Sequence, residues 1–156
     1  MKTNASGAAT VIEVRPLDTD DGDSAAPLEA AYAERNACAP LADAAALRHY
    51  ARGGHAFVAR SAGTTVGLVL AHTVWDGARP VVRVARLCAA RDDGDVLKRL
   101  VGAVVKSAYD AAVYDLVAEL PDRDTAGRAA VEAHAFASAP VTRFERVLGS
   151  RSAGGA

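Results

Sequence analysis

Three side chains of the sequence are candidates for moving a proton in a reaction, namely His72, Asp76 and Glu119. Imidazole and carboxylate groups are the usual general acids and bases of enzymes, because their environment can bring their pKa close to neutral pH. His72 lies in a run of strand-forming residues, where a single histidine often has a structural role. Asp76 precedes Gly77 in a stretch suited to a hairpin turn. The first two candidates therefore also have a structural interpretation.

The two cysteines form no recognisable metal or redox motif. Cys38 and Cys88 are not in a CxxC pair, and no histidine is spaced to complete a zinc site. We expect two reduced thiols, no disulfide and no metal, as is usual in the cytoplasm. The sequence also lacks a Gly-x-Ser-x-Gly elbow, a Walker loop, a His-Glu-x-x-His motif and a dinucleotide-binding fingerprint. These absences argue against a hydrolase, a kinase or a dehydrogenase.

Length and charge predict a single soluble domain. The chain has 156 residues, and its 18 basic and 19 acidic residues give a net charge of −1. No net field therefore draws it to nucleic acid or to an anionic membrane. It has no apolar run of the kind that forms a signal peptide core or a membrane span, so we expect a cytoplasmic protein. We expect the domain to span 11–148, with a disordered N-terminus at 1–10 and a flexible tail at 149–156.

The elements that must position the candidate side chains follow from apolar spacing and from the turn residues between the runs. The predicted strands span 11–17, 55–60, 65–75, 81–89, 113–120, 136–138 and 141–148. The predicted helices span 25–36, 41–51, 95–112 and 123–134. Short turns containing glycine make the second to fourth strands an antiparallel meander. The helix at 95–112 is a crossover that makes the fourth and fifth strands parallel.

One strand has an irregular apolar pattern. Val82 and Val84 set one alternation in the strand at 81–89, and Leu87 falls out of phase with them. A β-bulge would produce this pattern, and so would a strand that is buried on both faces.

This order of elements resembles the Gcn5-related N-acetyltransferase (GNAT) superfamily over residues 11–148. The local sequences that agree are Arg15-Pro16 followed by Asp20-Asp21, the Val66-Gly67-Leu68 start of the third strand, and Ala135-Phe136 where the family commonly has Gly-Phe. The stretches 104–114 and 146–151 also look like a small bacterial group of GNAT-like proteins without an assigned substrate. The resemblance implies an α/β (α+β) fold with a mixed sheet of six to seven strands, a parallel fourth and fifth pair, and four helices.

The resemblance also implies a site for acetyl-CoA or CoA as co-substrate. The fourth and fifth strands would splay apart, and the pantetheine arm would pair with the backbone of Arg86, Leu87, Cys88 and Ala89. The pyrophosphate would lie at the N-terminus of the helix that begins near Asp95, because free N–H groups and the helix dipole favour an anion there. An amine acceptor, on a small molecule or a protein, would attack the thioester with the help of a general base.

The phosphate loop departs from the family pattern, Arg/Gln-x-x-Gly-x-Gly/Ala. The nearest match is Arg91-Asp92-Asp93-Gly94-Asp95-Val96, in which Arg91 and Gly94 fit and Val96 does not. Three carboxylates stand where the pyrophosphate should dock, and like charges oppose its binding. The alternative interpretation is a helix capped by its own acid, Asp93 or Asp95. Arg91 is the remaining residue to clamp a phosphate, with help from Arg86.

The catalytic groups of the family are incomplete as well. Many members have a tyrosine on the fourth helix about five residues before the Gly-Phe phenylalanine, and Val131 occupies that position here. The strand at 81–89 has no carboxylate where the family often has a glutamate. His72, Asp76 and Glu119 therefore remain as the candidates for a general base.

Three functions stay open. The chain is an N-acyltransferase that uses acetyl-CoA or another acyl-CoA, or it is a GNAT-like binding or assembly module that has lost catalysis. The third possibility is a homodimer in which the hairpin at 141–148 completes a site across the interface, since edge strands invite pairing.

Overall fold

The structure is a computed structural model, and it describes residues 10–41 and 43–148. These residues form one mixed sheet with helices on both faces. The strands are β1 Ile12–Pro16, β2 Phe57–Ser61, β3 Thr64–Asp76, β4 Arg79–Ala89 and β5 Asp115–Ala118. The helices are α1 Gly22–Asn36, α2 Ala44–Gly53, α3 Gly94–Asp110 and α4 Thr125–Glu132. The predicted N-terminal disorder at 1–10, apart from residue 10, and the predicted tail at 149–156 lie outside the described residues.

The strands lie in the order β1-β2-β3-β4-β5. Neighbours from β1 to β4 are antiparallel, and β4 and β5 are parallel. The parallel pair arises because α3 connects the two strands across one face of the sheet. The mixed sheet and the four helices predicted from the sequence are confirmed.

The sheet has five strands among the described residues, whereas the sequence predicted six to seven. The segments predicted as the sixth and seventh strands, 136–138 and 141–148, contain neither strand nor helix. Pro140 has no N–H group to give to a sheet, and the side chains beyond it are 81% exposed at Val141 and 91% exposed at Phe144. A strand without apolar packing or a paired neighbour has little to stabilise it.

The sheet separates two apolar cores. α3 and α4 cover one face, whose buried residues include Val69, Val82, Leu87, Leu100 and Val131. α1 and α2 cover the other face, whose buried residues include Tyr32, Leu47, Val58, Leu68 and Leu70. Residues that alternate along β3 and β4 therefore point into different layers of the molecule.

β4 contains a bulge at Ala85. The register pairs Leu70 with Arg86 and Ala71 with Val84, so Ala85 has no partner on β3. The extra residue brings Leu87 into the same core as Val84, in spite of the odd spacing between them. Beyond the bulge the strand is buried on both faces, since 86–89 are all buried. Both explanations for the apolar pattern of this strand are confirmed.

Gly67 allows α3 to lie close against the sheet. A Cβ atom at this position would come within 2.4 Å of Val96 Cγ1 and 2.9 Å of Leu100 Cδ1. Gly67 is also the β3 partner of Ala89 at the end of β4. The first turn of α3 is therefore held directly beside the end of β4.

Candidate functional site

The candidate site begins where β4 and β5 stop pairing. Their last register pair is Val84 with Ala118, and the Glu119 N–H then donates to the Val84 carbonyl at 3.3 Å. β4 continues to Ala89 with a partner on β3 alone. In the part of the chain that the structure describes, the edge of β4 that faces β5 is thus without a strand partner over 86–89.

The loop after β4 leads directly into the N-terminus of α3. Arg91 and Asp92 have positive φ angles of 56° and 52°, in the left-handed region that residues other than glycine rarely adopt. Asp92 pairs with Arg35 of α1 at 3.0 Å. A Cβ atom at Gly94 would meet nothing within 4 Å, so there is open space beside the first residue of α3.

Asp93 caps α3, as the alternative interpretation of the loop predicted. Its Oδ1 atom accepts hydrogen bonds from the Asp95 N–H at 3.0 Å and from the Val96 N–H at 3.3 Å. These amides are among the donors that a phosphate at a helix N-terminus would use. An anion at this position therefore competes with a carboxylate of the chain itself.

The side chain of Arg86 points away from this loop and into the layer below α1. Its Nε atom lies 2.9 Å from Glu29 Oε1, and its two terminal nitrogens donate to Cys38 Sγ at 3.0 Å and to the Ala39 carbonyl at 2.6 Å. Burial opposes its charge, but the contacts with Cys38 and Glu29 outweigh burial and raise its pKa. The Arg86 side chain is engaged in the core and is not placed to help with phosphate binding as we expected, so only its backbone remains for the pantetheine arm.

A buried tyrosine and aspartate meet beside the separated strands. The Tyr32 hydroxyl of α1 donates to Asp124 Oδ2 at 2.6 Å, and the Tyr32 ring lies over the Arg86 guanidinium at 5.0 Å. Asp124 Oδ1 also accepts from the Gly127 N–H at 2.7 Å and so caps α4. Burial, followed by the contact with Asp124, raises the pKa of Tyr32 above its usual value.

Two of the three candidate bases share one cleft. Asp76 and Glu119 line a cavity of about 340 Å³ together with Val74, Trp75, Val81, Arg83 and Val117. The Glu119 carboxylate accepts hydrogen bonds from Arg83 on one oxygen and from Arg143 on the other. Both carboxylate oxygens of Glu119 are therefore engaged by arginine side chains.

His72 lies next to this cleft, on the strand position opposite Arg83. Its ring packs edge to face against His49 at 5.3 Å and Tyr50 at 5.2 Å, and no partner of its buried Nδ1 atom occurs among the described residues. Burial, and then the charges of His49 and Arg83, lower its pKa. The lowered pKa of His72 favours the neutral form of its imidazole.

Sequence reasoning did not select Tyr32, Asp124, Arg83 or Arg143. Asp124 carries a local signal, since an aspartate before a short helical run is a typical N-cap. Tyr32 carries none, because its partner lies 92 positions further along the chain.

The described residues hold no group of three or more His, Cys, Asp or Glu side chains arranged to bind a metal ion. None of the helices in this part of the chain has both the length and the apolar character of a membrane span.

Two comparisons connect the chain to known proteins. The family model described as "Protein of unknown function (DUF1999)" matches residues 17–152. The chain belongs to the DUF1999 family. It is also similar to the wild-type protein TTHA1254 from Thermus thermophilus, with 35% sequence identity, a TM-score of 0.75, and coverage of 89% of this chain and 99% of that chain. No curated protein matches the sequence.

The DUF1999 chain has the fold of GNAT acetyltransferases. A ribosomal-protein-alanine N-acetyltransferase from Brucella melitensis biovar Abortus 2308 aligns with a TM-score of 0.70 at 21% identity, over 89% of this chain and all of that one. The aminoglycoside N-acetyltransferase AAC(6')-Iy, in complex with CoA, aligns with a TM-score of 0.71 at 17% identity, over 90% of this chain and 97% of that one. The predicted GNAT resemblance is confirmed at the level of the fold.

Proposed function

We propose that this DUF1999 protein is an N-acyltransferase that moves an acyl group from acetyl-CoA, or from another acyl-CoA, to an amine. The observation that carries the proposal is the unpaired edge of β4 over 86–89. Free N–H and C=O groups on such an edge can pair with an extended ligand that carries amides of its own. The pantetheine arm of CoA has two amides, so it matches this edge chemically.

The reaction needs an amine and a thioester held together. The nitrogen lone pair attacks the thioester carbon, the C–S bond breaks, and the electron pair leaves with sulfur as the CoA thiolate. The amine loses one proton and the thiolate gains one, so the products are an amide and free CoA. Holding both reactants in one cleft supplies much of the rate acceleration of such a transfer.

The cleft that contains Asp76 and Glu119 suits the acceptor side of this reaction. It lies over the paired part of β4 and β5, and Glu119, which follows the last paired residue of β5, is its lining residue nearest to the point where the strands separate. Its charged side chains are bordered by Trp75, which is 72% exposed and offers an aromatic face. We assign Glu119 to the shape and charge of this cleft, because both of its carboxylate oxygens already accept hydrogen bonds from arginines.

The phosphate end of CoA fits less well than the pantetheine arm. The Asp93 carboxylate accepts hydrogen bonds from two amides of α3, and Asp92 and Asp95 add further negative charge close by. Arg91 and the open space beside Gly94 are what remains to receive the pyrophosphate. We therefore expect CoA to gain little affinity from its phosphates and most of it from the pantetheine arm.

Calorimetric titration of the full chain with acetyl-CoA and CoA tests the proposal. We expect measurable heat, a raised melting temperature with CoA, and thiol release when acetyl-CoA is mixed with a panel of amines. S-acetylpantetheine, which keeps both amides of the arm but lacks the phosphates, should serve as a donor almost as well as acetyl-CoA. No heat and no thermal shift at millimolar CoA would show that the proposal is wrong.

The capping of α3 by Asp93 favours a second candidate, a GNAT-like module that binds or assembles without catalysis. In that case the carboxylate seals the helix end permanently, and the fold serves as a scaffold. Thiol release from acetyl-CoA that depends on an added amine and weakens in Arg91→Ala would exclude this candidate.

A further inference from the structure

The hydrogen bond between Tyr32 and Asp124 connects elements on opposite faces of the sheet. Tyr32 belongs to α1 and to the core under α1 and α2, whereas α4, which Asp124 caps, packs with α3 on the other face. The last β4–β5 pair is Val84 with Ala118. Tyr32 contacts Arg86, which follows Val84 on β4, and Asp124 lies on the loop that follows β5. The phenol and the carboxylate therefore lie in the region where the strands have separated.

Several contacts hold this pair in place. The Arg86 guanidinium lies against the Tyr32 ring and forms an ion pair with Glu29. Gly127 leaves room for the carboxylate, since a Cβ atom there would lie 2.3 Å from Asp124 Oδ2. Tyr32 is 1% exposed and Asp124 is 5% exposed, so solvent does not compete for the hydrogen bond. A buried, charge-assisted bond of this kind is strong and directional.

The direction of the hydrogen bond decides which way a proton can move. Tyr32 already donates its proton to Asp124 Oδ2, so the free lone pairs of its oxygen can accept a proton from a third group. The other charged and titratable groups that act on the pair are Arg86 and Cys38, which interact with Tyr32, and Cys88, which interacts with Asp124. Arg86 is the cation among them, and it stabilises a phenol oxygen that carries more negative charge.

We infer that Tyr32 and Asp124 form the general base of the proposed acyl transfer. As the amine attacks the thioester carbon, its N–H proton moves to the Tyr32 oxygen while the Tyr32 proton moves to Asp124 Oδ2. The C–S bond breaks, and the same pair returns the proton to the departing thiolate, which leaves as a thiol. Each proton taken from the amine is delivered to sulfur, so the pair is unchanged after the reaction. This role rests on the proposed acyltransferase function.

The pair supplies a proton-transferring group at a place different from the one that the family pattern indicates. The position of the usual tyrosine holds Val131, which is buried in the core of α3 and α4. The candidate bases of the sequence are a histidine packed among aromatic rings, an exposed aspartate at the end of β3 and a glutamate paired with two arginines. Tyr32 and Asp124 are a phenol and a carboxylate already joined by a hydrogen bond beside the opening.

Tyr32→Phe and Asp124→Asn test the inference with thiol release from acetyl-CoA in the presence of an accepted amine. Both variants keep the shape of the site, and asparagine still caps α4. We expect kcat to fall roughly 10²- to 10⁴-fold with an unchanged dissociation constant for CoA. We also expect the kcat profile against pH to change in both variants. Tyr109→Phe and Asp122→Asn, which change an exposed tyrosine and an exposed aspartate, should behave like the unchanged protein.

Other outcomes have distinct meanings. Wild-type rates and an unaltered pH profile in both variants would overturn the inference while leaving the acyltransferase proposal intact. A loss of CoA binding together with a lower melting temperature, and with the pH profile retained, would assign the pair a structural role and also overturn it. An unchanged protein that neither binds CoA nor releases thiol would refute the proposed function itself. If Tyr32→Phe does not fold, Gly127→Ala displaces the carboxylate without altering Tyr32 and should give the same kinetic loss.

Discussion

Charged side chains near the start of α3 determine how an anion can approach it. Asp93 accepts from two amides of the helix, and Asp92 is drawn towards Arg35 of α1. Negative side chains at a helix N-terminus stabilise the helix and at the same time take the place of an external anion. The residues of this loop therefore favour helix stability over phosphate binding.

Replacing Asp93 by serine should strengthen CoA binding. Serine still caps the helix, while the loss of one carboxylate removes a like charge whose effect at a helix N-terminus is about 0.3–1 kcal/mol, or roughly two- to fivefold in the dissociation constant. Calorimetry with CoA measures the change, and Asp20→Asn, which removes an exposed carboxylate elsewhere, is the control. Weaker binding in Asp93→Ser would mean that the carboxylate does not oppose the ligand.

Two histidines should make stability fall in mild acid. Burial lowers the pKa of His55, and burial together with His49 and Arg83 lowers that of His72. The unfolded chain, with histidine pKa values near 6.5, therefore takes up protons first as the pH falls. The contribution of these two histidines to the free energy of unfolding is complete above about pH 6.5. It decreases as the pH falls from there to the lowered pKa values of the folded state.

Urea unfolding at pH 7.5 and at pH 5.5 measures this loss. We expect His72→Gln and His55→Gln each to reduce the difference between the two pH values, and the double variant to reduce it most. An equal difference in all four proteins would contradict the assignment of the effect to these histidines.

At the scale of elements, the contact between α3 and β3 sets the geometry of the site. Gly67 brings the first turn of α3 against the sheet beside the end of β4, and the bulge at Ala85 turns β4 so that Leu87 packs under the same helix. The helix start and the unpaired edge of β4 are thereby held next to each other. A ligand that spans both would meet a rigid surface.

Gly67→Ala should destabilise the fold by about 1–3 kcal/mol, because an added methyl group overlaps Val96 and Leu100 in a packed core. Denaturant unfolding measures the change. Gly94→Ala is the matched control, since a methyl group there meets open space and should alter stability little. Equal stability of the two variants would show that α3 adjusts its position freely.

At the scale of the whole molecule, the C-terminal segment carries several exposed apolar residues. Phe144, Val147 and Leu148 are each more than half exposed, at 91%, 59% and 67%. β5 is the last strand of the sheet and lies next to this segment, as the contact of Arg143 with Glu119 shows. Exposed apolar residues beside an edge strand are typical of surfaces that pair with another chain.

We propose that a second copy of the chain covers this region, which is one of the possibilities that the sequence left open. Light scattering at assay concentration should give the mass of a dimer, and Phe144→Ser should shift the equilibrium towards the monomer. Thr142→Ser, a small change in the same segment, is the control. A monomer for the unchanged protein at that concentration would remove the proposal.

Local sequence determined the order of the elements, the antiparallel meander, the crossover that makes β4 and β5 parallel, and the bulge signalled by Leu87. These features depend on apolar periodicity and turn residues over a few positions, which a single sequence displays directly. Local sequence also predicted strands at 136–138 and 141–148 that the structure does not contain. An alternating pattern there is not accompanied by a partner strand among the described residues.

The tertiary structure alone decided which polar groups meet. Tyr32 and Asp124 are 92 positions apart, and Arg86 and Glu29 belong to different elements. The cleft of Asp76 and Glu119 likewise depends on the pairing of β4 with β5. Such contacts depend on how whole layers pack, because hydrogen bonds between distant residues leave no periodic signal in the chain.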